Sequence, residues 1–218
     1  MATPLLDSGV YDAHEVAHLL GQHAELVVRW SVPDGKGRPA VVPPSFDRAF
    51  SFVDLVSLSV VGELWRRHVP EIDIRNGVAL LTSETGFSRP LAQRQVVDTL
   101  ATCGVAFLGD LGDGWYDLGK RGQGVFEEVI RIDMKTIDFD DLGVAKKWQP
   151  TPTVSLDPRV QAGAPCIVGT RIPTAVVAAM LENDSAELVA EDLDLELTLV
   201  LAAAEFEHRL AVGQGLTA

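Results

Sequence analysis

Tyr11-Asp12-Ala13-His14-Glu15-Val16-Ala17-His18-Leu19-Leu20-Gly21-Gln22-His23-Ala24-Glu25-Leu26-Val27-Val28-Arg29-Trp30 reads as two short helices around a glycine. Asp12 with Glu15 three residues on is a capping box, and Val16, Leu19 and Leu20 share one face of a helix over 12–20. Gly21 ends that helix and permits the turn. A second helix over 25–30 points Leu26, Val27 and Trp30 inward. Ala17, four residues before Gly21, lets the helices approach, and Val27, six after it, packs between them. This is the spacing of a helix-turn-helix.

Beyond Trp30, Pro33-Asp34-Gly35-Lys36-Gly37-Arg38-Pro39 and Pro43-Pro44 surround the short apolar group Ala40-Val41-Val42, the composition of a hairpin or wing over 32–44. Gln22, His23 and Arg29 fall on or beside the exposed side of the second helix, and Lys36 and Arg38 lie in the loop. A helix in the major groove with a wing on the phosphates needs such donors, Gln and Arg for base edges and Lys or Arg for the backbone. The plainer reading of the same residues is a solvated helix face.

Ser51 and Asp54 form a second capping box ahead of a helix over 51–67 whose apolar residues nearly encircle it, as in a core or subunit-contact helix. Helices are expected over 71–81, 91–101 and 126–130. Strands are expected over 105–108 and 115–118 around Gly109-Asp110-Leu111-Gly112-Asp113-Gly114, and over 132–139 and 144–148. Gln149-Pro150-Thr151-Pro152-Thr153 then reads as a linker, because closely spaced prolines exclude a helix. A short strand over 153–156 follows it, then helices over 174–181, 185–191 and 196–210, with Asp184 and Glu187 as a third capping box.

Ala190, Asp194 and Val200 repeat the four-then-six spacing of Ala17, Gly21 and Val27. The second helix of this unit carries Glu196, Thr198, Glu205 and Glu207 and no basic residue before Arg209, so it repels phosphate. It reads as a protein-contact or dimerisation module. The expected fold is therefore α+β and mainly helical: a winged helix-turn-helix over 1–46, a small mixed middle section over 47–148, a linker over 149–153 and a helix-turn-helix-like module over 154–218.

Composition bounds the function. With 47% apolar and 22% charged residues, 19 Gly and 12 Pro in 218 residues, the chain is an ordinary globular protein. No apolar run approaches the ~20 residues of a membrane span, and the N-terminus has no secretory pattern, so a cytoplasmic location without a membrane partner is expected. Cys103 and Cys166 lack metal-ligand spacing and suit a reducing compartment. Thirty-one acidic residues against 18 basic give a net charge of −13, the wrong sign for coating nucleic acid by counterion release. Residues 149–218 hold ten of the acids and three of the bases. Any DNA contact must come from a small basic surface, and the acidic tail is suited to a basic protein.

His14-Glu15-Val16-Ala17-His18 matches the H-E-x-x-H zinc-peptidase pattern, two His as ligands and Glu as base. Only 13 residues precede it, too few for a sheet to support a catalytic helix, and the capping box and packing position already account for Glu15 and Ala17. A zinc metallopeptidase is thus the enzyme alternative, and the expectation is no enzyme, no catalytic residue, no metal and no cofactor. Neither a nucleophile elbow nor a phosphate-binding glycine loop is present. Asp138-Phe139-Asp140-Asp141 lacks calcium-loop spacing and reads as an exposed acidic turn.

Two longer patterns add a resemblance. Tyr11 through Gly21, Val28-Arg29-Trp30, the proline-rich segment and Phe50-Ser51-Phe52-Val53-Asp54-Leu55 resemble a MerR-type winged helix-turn-helix. Asp157-Pro158-Arg159, then Gly163-Ala164-Pro165-Cys166-Ile167-Val168-Gly169-Thr170-Arg171-Ile172-Pro173, then Ala190-Glu191-Asp192 resemble an uncharacterised antitoxin-associated helix-turn-helix family. The second pattern is the more specific, being long and ordered. The combination resembles VapB-type antitoxins, whose partner is a PIN-like ribonuclease toxin. The resemblance implies toxin neutralisation and autorepression of the operon by a homodimer on operator DNA. It also implies a toxin-binding role for Gly169, Thr170 and Arg171, a turn before Pro173 that would aim a rare cation at clustered carboxylates. The plainer reading ties Arg171 to Asp157 or Asp192. A MerR-like regulator sensing a small ligand is the alternative function.

Overall fold

The computed structural model describes residues 9–103 and 136–215. Helix α1 (Ala13–Leu20) starts as its sequence dictates. The Asp12 carboxylate accepts from the amides of His14 and Glu15, at 2.7 and 2.9 Å, and Glu15 Oε2 accepts from the Asp12 amide at 2.7 Å. Gly21 ends it with φ 59°, a left-handed conformation that glycine enters at little cost. Helix α2 (Ala24–Ser31) follows, with Ala17 and Val27 buried between the two helices.

Helix α3 (Phe52–Arg66) is capped by the Ser51 hydroxyl and is buried along nearly its whole length. Around it pack α4 (Glu71–Thr85), a 3₁₀ turn (Pro90–Ala92) and α5 (Arg94–Cys103). Pro90 and the extended Gln93 split what the sequence suggested was one helix over 91–101. The four strands β1 (Ile137–Phe139), β2 (Ala145–Thr151), β3 (Val154–Leu156) and β4 (Cys166–Ile167) form an antiparallel sheet in chain order. Helices α6 (Thr174–Leu181), α7 (Ala186–Asp192) and α8 (Leu197–Gly215) complete the described chain. The architecture is α+β. The hairpin expected over 105–118 and the helix over 126–130 lie outside the described residues.

Three further expectations are corrected. Residues 32–44 contain no strand pair: Pro33, Pro39, Pro43 and Pro44 supply no amide donors for a ladder, and the segment is an irregular loop. Residues 149–153 are not a bare linker but the end of β2 and the turn into β3. Pro150 is tolerated there because the β2–β3 register shifts between Trp148 and Thr151 and the β1 ladder ends at Trp148. Helix α7 is capped by Ser185, whose hydroxyl accepts from the Leu188 amide at 3.3 Å, and not by Asp184. Of the strand expected over 132–139, Ile137–Phe139 forms β1, and residues 132–135 lie outside the described residues.

One large core joins α1 to α5, β1, β2 and Leu156 of β3. A second lies among α6, α7 and α8, with Val177, Val189, Val200 and Ala203 buried. Strand β3 belongs to both neighbourhoods, since Val154 packs on Phe206 and Leu210 of α8. All three β3 residues are buried.

Two arginines replace the ladder that the 32–44 loop lacks. Arg75, whose side chain is 1% exposed, donates to the carbonyls of Arg29, Val32 and Pro39 at 2.6, 3.0 and 2.7 Å and to Glu71 Oε1 at 2.9 Å. Arg89 donates to the Pro43 carbonyl at 2.6 Å and pairs with fully buried Asp54, which also accepts from the amides of Ser45 and Ser51. Removing Arg75 leaves three carbonyls without their donor and Glu71 with Arg29 alone. Arg75→Met is therefore expected to cost about 3–5 kcal/mol in urea unfolding, against less than about 1 kcal/mol for Arg66→Ala at the exposed Glu63 pair. Equal effects would place no weight on the buried guanidinium.

Candidate partner and nucleic-acid surfaces

On the N-terminal side the five proposed DNA contacts sit as follows. His23 is exposed at the N-cap of α2 and makes no side-chain capping bond, while Gln22 is half-buried beside α3 near Gly62. Arg29 projects from the last turn of α2, half exposed, but its Nε lies 2.9 Å from Glu71 Oε2 and its guanidinium stands 5.2 Å from the Trp65 ring centre. Glu71 thus bridges Arg29 and Arg75. Lys36 and Arg38 come together on one turn, because Asp34 Oδ1 accepts from both their amides at 2.9 Å. Asp34 Oδ2 also takes Arg38 Nε at 2.5 Å, and these bonds from Arg38 and Lys36 hold the Asp34 carboxyl below its ordinary range. The structure brings Lys36 and Arg38 to one place, Arg29 to another, and leaves Lys36 exposed at the loop.

On the C-terminal side the chain from β4 to α6 is a tight, cross-bonded turn. The Ile167 amide donates to the Ile172 carbonyl, the Thr170 amide and hydroxyl to the Ile167 carbonyl, and the Ile172 amide to Thr170 Oγ1, all within 2.9–3.0 Å. Gly169, at φ 81°, supplies the left-handed residue. Gln161 Nε2 fixes the Arg171 carbonyl at 3.0 Å. The Arg171 side chain is exposed, and among the described residues no carboxylate pairs with it. Asp157, one of its two suggested partners, is taken by Arg159, whose Nε and Nη2 lie 3.0 and 2.8 Å from its oxygens. Burial alone would raise the Asp157 carboxyl, but the Arg159 bonds bring it below the usual carboxylate range. Burial pushes the Cys166 thiol up against the opposing pull of Arg171, so Cys166 stays a neutral core thiol rather than a nucleophile.

A cleft of about 490 Å³ separates α1 from the C-terminal unit, with Tyr11, His14, His18, Gln161 and Glu207 on its walls. His18 Nε2 lies 3.9 Å from Glu207 Oε2, and Glu207 also accepts from the Thr174 hydroxyl. His14, Glu15 and His18 of the H-E-x-x-H pattern all line this cleft, and Glu15 is at the same time engaged at the Asp12 cap. Among the described residues no three His, Cys, Asp or Glu side chains are grouped to hold a metal. Asp140 likewise spends its Oδ1 on the amides of Leu142 and Val144, as a turn residue does. No helix of the described chain is long and apolar enough to cross a membrane.

Across the floor of the cleft, Tyr11 Oη donates to the Gly163 carbonyl at 2.9 Å. Gln161, Ala162 and Gly163 are consecutively left-handed, φ 49°, 53° and 91°, which costs roughly 1–2 kcal/mol for each non-glycine residue. Gly163 is required: a Cβ there would stand 2.1 Å from Tyr11 Oη. Sequence reasoning missed Tyr11, Gln161 and Arg75 as organising residues. The Glu71–Arg75 spacing of four was the one visible signal, since it pairs charges on one helix face.

The geometry defines an α+β chain in which two turn-linked helical pairs flank a mixed core. Residues 154–206 match the family model described as a protein of unknown function, DUF433. The X-ray crystal structure of Rv2018 from Mycobacterium tuberculosis is similar at a TM-score of 0.66 and 23% identity, over 93% of this chain and 98% of that one. At that identity the likeness speaks for the fold. No curated protein matches.

Burial, with Glu15 and Asp157 nearby, raises the Tyr11 phenol well above its ordinary value. Folding thus holds a proton that the unfolded chain releases near pH 10. The resulting stabilisation is whole below about pH 10 and declines as pH rises further. Tyr11→Phe is expected to lose about 1 kcal/mol at pH 9, with the gap to wild type narrowing at pH 11 in urea unfolding; a gap independent of pH would contradict this.

Proposed function

We propose that this chain is a non-enzymatic antitoxin of VapB type that neutralises a PIN-like ribonuclease toxin and represses its own operon as a homodimer in the cytoplasm. The observation that carries the reading is the Gly169-Thr170-Arg171 turn. It presents an exposed guanidinium, unpaired among the described residues, on a backbone bonded from both sides. The fixed backbone of the turn loses little entropy on binding, and a guanidinium suits a cluster of carboxylates around a nuclease metal. The Ala190, Asp194, Val200 unit supports a protein contact as well: Leu197 and Leu201, one turn apart on α8, are 38% and 52% exposed beside Glu205. An exposed apolar pair with acidic neighbours meets protein rather than phosphate.

For DNA, the α1–α2 pair supplies Gln22, His23 and Arg29, and the adjoining loop supplies Lys36 and Arg38. Arg29 must exchange its Glu71 pair for a base edge, whereas the exposure of Lys36 supports a phosphate contact. A second reading, a MerR-like regulator of a small ligand, is favoured by the cleft between α1 and the C-terminal unit. Zinc peptidase chemistry is disfavoured by the capping role of Glu15.

Co-expression with a PIN-like ribonuclease tests the toxin contact. Arg171→Ala should leave the melting temperature near wild type and weaken the complex by about 2 kcal/mol or more, as truncation of one partner of a charge pair does. A folded Arg171→Ala protein that neutralises normally overturns the assignment. On operator DNA, Arg29→Ala should cost roughly 1–3 kcal/mol, and Lys36→Ala should lower the salt slope by about one. Gel shifts at several salt concentrations in which all three proteins bind alike would remove the DNA reading.

A further inference from the structure

Tyr11 and Arg171 stand on different helical units, and one chain of contacts joins them. Tyr11 is anchored in the N-terminal unit by two backbone bonds to Phe50, 2.9 and 2.8 Å, and its next residue is the α1 cap. Its ring is buried, and its hydroxyl reaches 152 positions along the chain to the Gly163 carbonyl. That carbonyl ends the run of three left-handed residues, two of which carry side chains that disfavour this backbone. Such a run persists only where its surroundings fix it. Gln161, its first residue, uses its side-chain amide to hold the Arg171 carbonyl at 3.0 Å.

We infer that Tyr11 is the positioning residue for the Arg171 turn: its hydroxyl locks the 161–163 run, and the locked run places the Gln161 amide against the Arg171 backbone. The N-terminal unit thereby sets the geometry of the C-terminal contact surface. The absence of space for a Cβ at Gly163 has the same origin, since the Tyr11 hydroxyl occupies that position. The role of the turn as a partner surface rests on the proposed function; the positioning itself does not.

Hydrogen exchange on the full chain, without any partner, separates the two. The amides of Gly163 and Ala164 report on the left-handed run, those of Thr170 and Ile172 on the Arg171 turn, and those of Leu58 and Val60 on α3. Tyr11→Phe keeps the ring and removes the donor. It should speed exchange about tenfold at both the run and the turn and leave α3 unchanged, the effect of one lost hydrogen bond. Gln161→Ala should loosen the turn alone, and the double variant should match Gln161→Ala at Thr170 and Ile172, because both act through one link. Loosening of Gly163 and Ala164 in Tyr11→Phe with Thr170 and Ile172 unmoved would reduce Tyr11 to a local packing contact and overturn the inference. So would additive effects in the double variant. If Tyr11→Phe does not fold, the Gln161→Ala profile decides: an unmoved turn sinks the proposal.

Discussion

A proline-rich loop exposes carbonyl oxygens without amide donors to match them, and in this chain two guanidinium groups make up the shortage. Arg75 serves the carbonyls of Arg29, Val32 and Pro39, and Arg89 serves that of Pro43. A guanidinium is suited to the task because it offers five donors in a fixed fork and stays charged. Each arginine faces a carboxylate, Asp54 for Arg89 and, for Arg75, the Glu71 that Arg29 shares, so neither charge is buried alone. The consequence is that α2 and the loop after it cannot move apart. The placement of Arg29, Lys36 and Arg38 relative to one another is inherited from side chains on α4 and from the start of the 3₁₀ turn.

The sheet plays the corresponding part for the C-terminal unit. Strand β3 gives Leu156 to the large core and Val154 to the underside of α8. The two helical pairs therefore share a strand rather than a tether. Arg94 adds to this frame, its guanidinium 5.0 Å from the Phe139 ring centre and its amide donating to the Gly143 carbonyl. The cleft between α1 and the C-terminal unit is the space left where these two units meet, with Tyr11 on its wall.

What was legible in the sequence is what local physics controls. The caps at Asp12 and Ser51, the glycine turn at Gly21 and the packing positions Ala17 and Val27 each depend on neighbours within a few residues, and all stand in the structure where periodicity and spacing put them. The repeated spacing at Ala190, Asp194 and Val200 was equally readable; Asp194 adopts φ 52° where glycine is commoner. The prolines at 150 and 152 misled, because they exclude a helix but not a shifted strand register. The 32–44 loop misled for the opposite reason: its proline- and glycine-rich flanks around Ala40-Val41-Val42 suggested a hairpin, and its missing donors forbade one. Of the proposed contact residues, composition found the cations but not their partners. Glu71 on α4 lies too far along the chain from Arg29 for any window to join them, and the same holds for Tyr11 and Gly163.

The family match begins at Val154, one residue position that is also the first of β3 and the middle of an antiparallel ladder. A cut there separates β3 from β2 and bares a row of amide and carbonyl groups on the side that β2 covers, together with the apolar face of Leu156. An uncovered edge of this sort is a template for another chain. An excised C-terminal segment is thus expected to pair its bare β3 edge with the same edge of a second excised copy. The stretch that the family model matches and the sheet it folds into do not share a boundary.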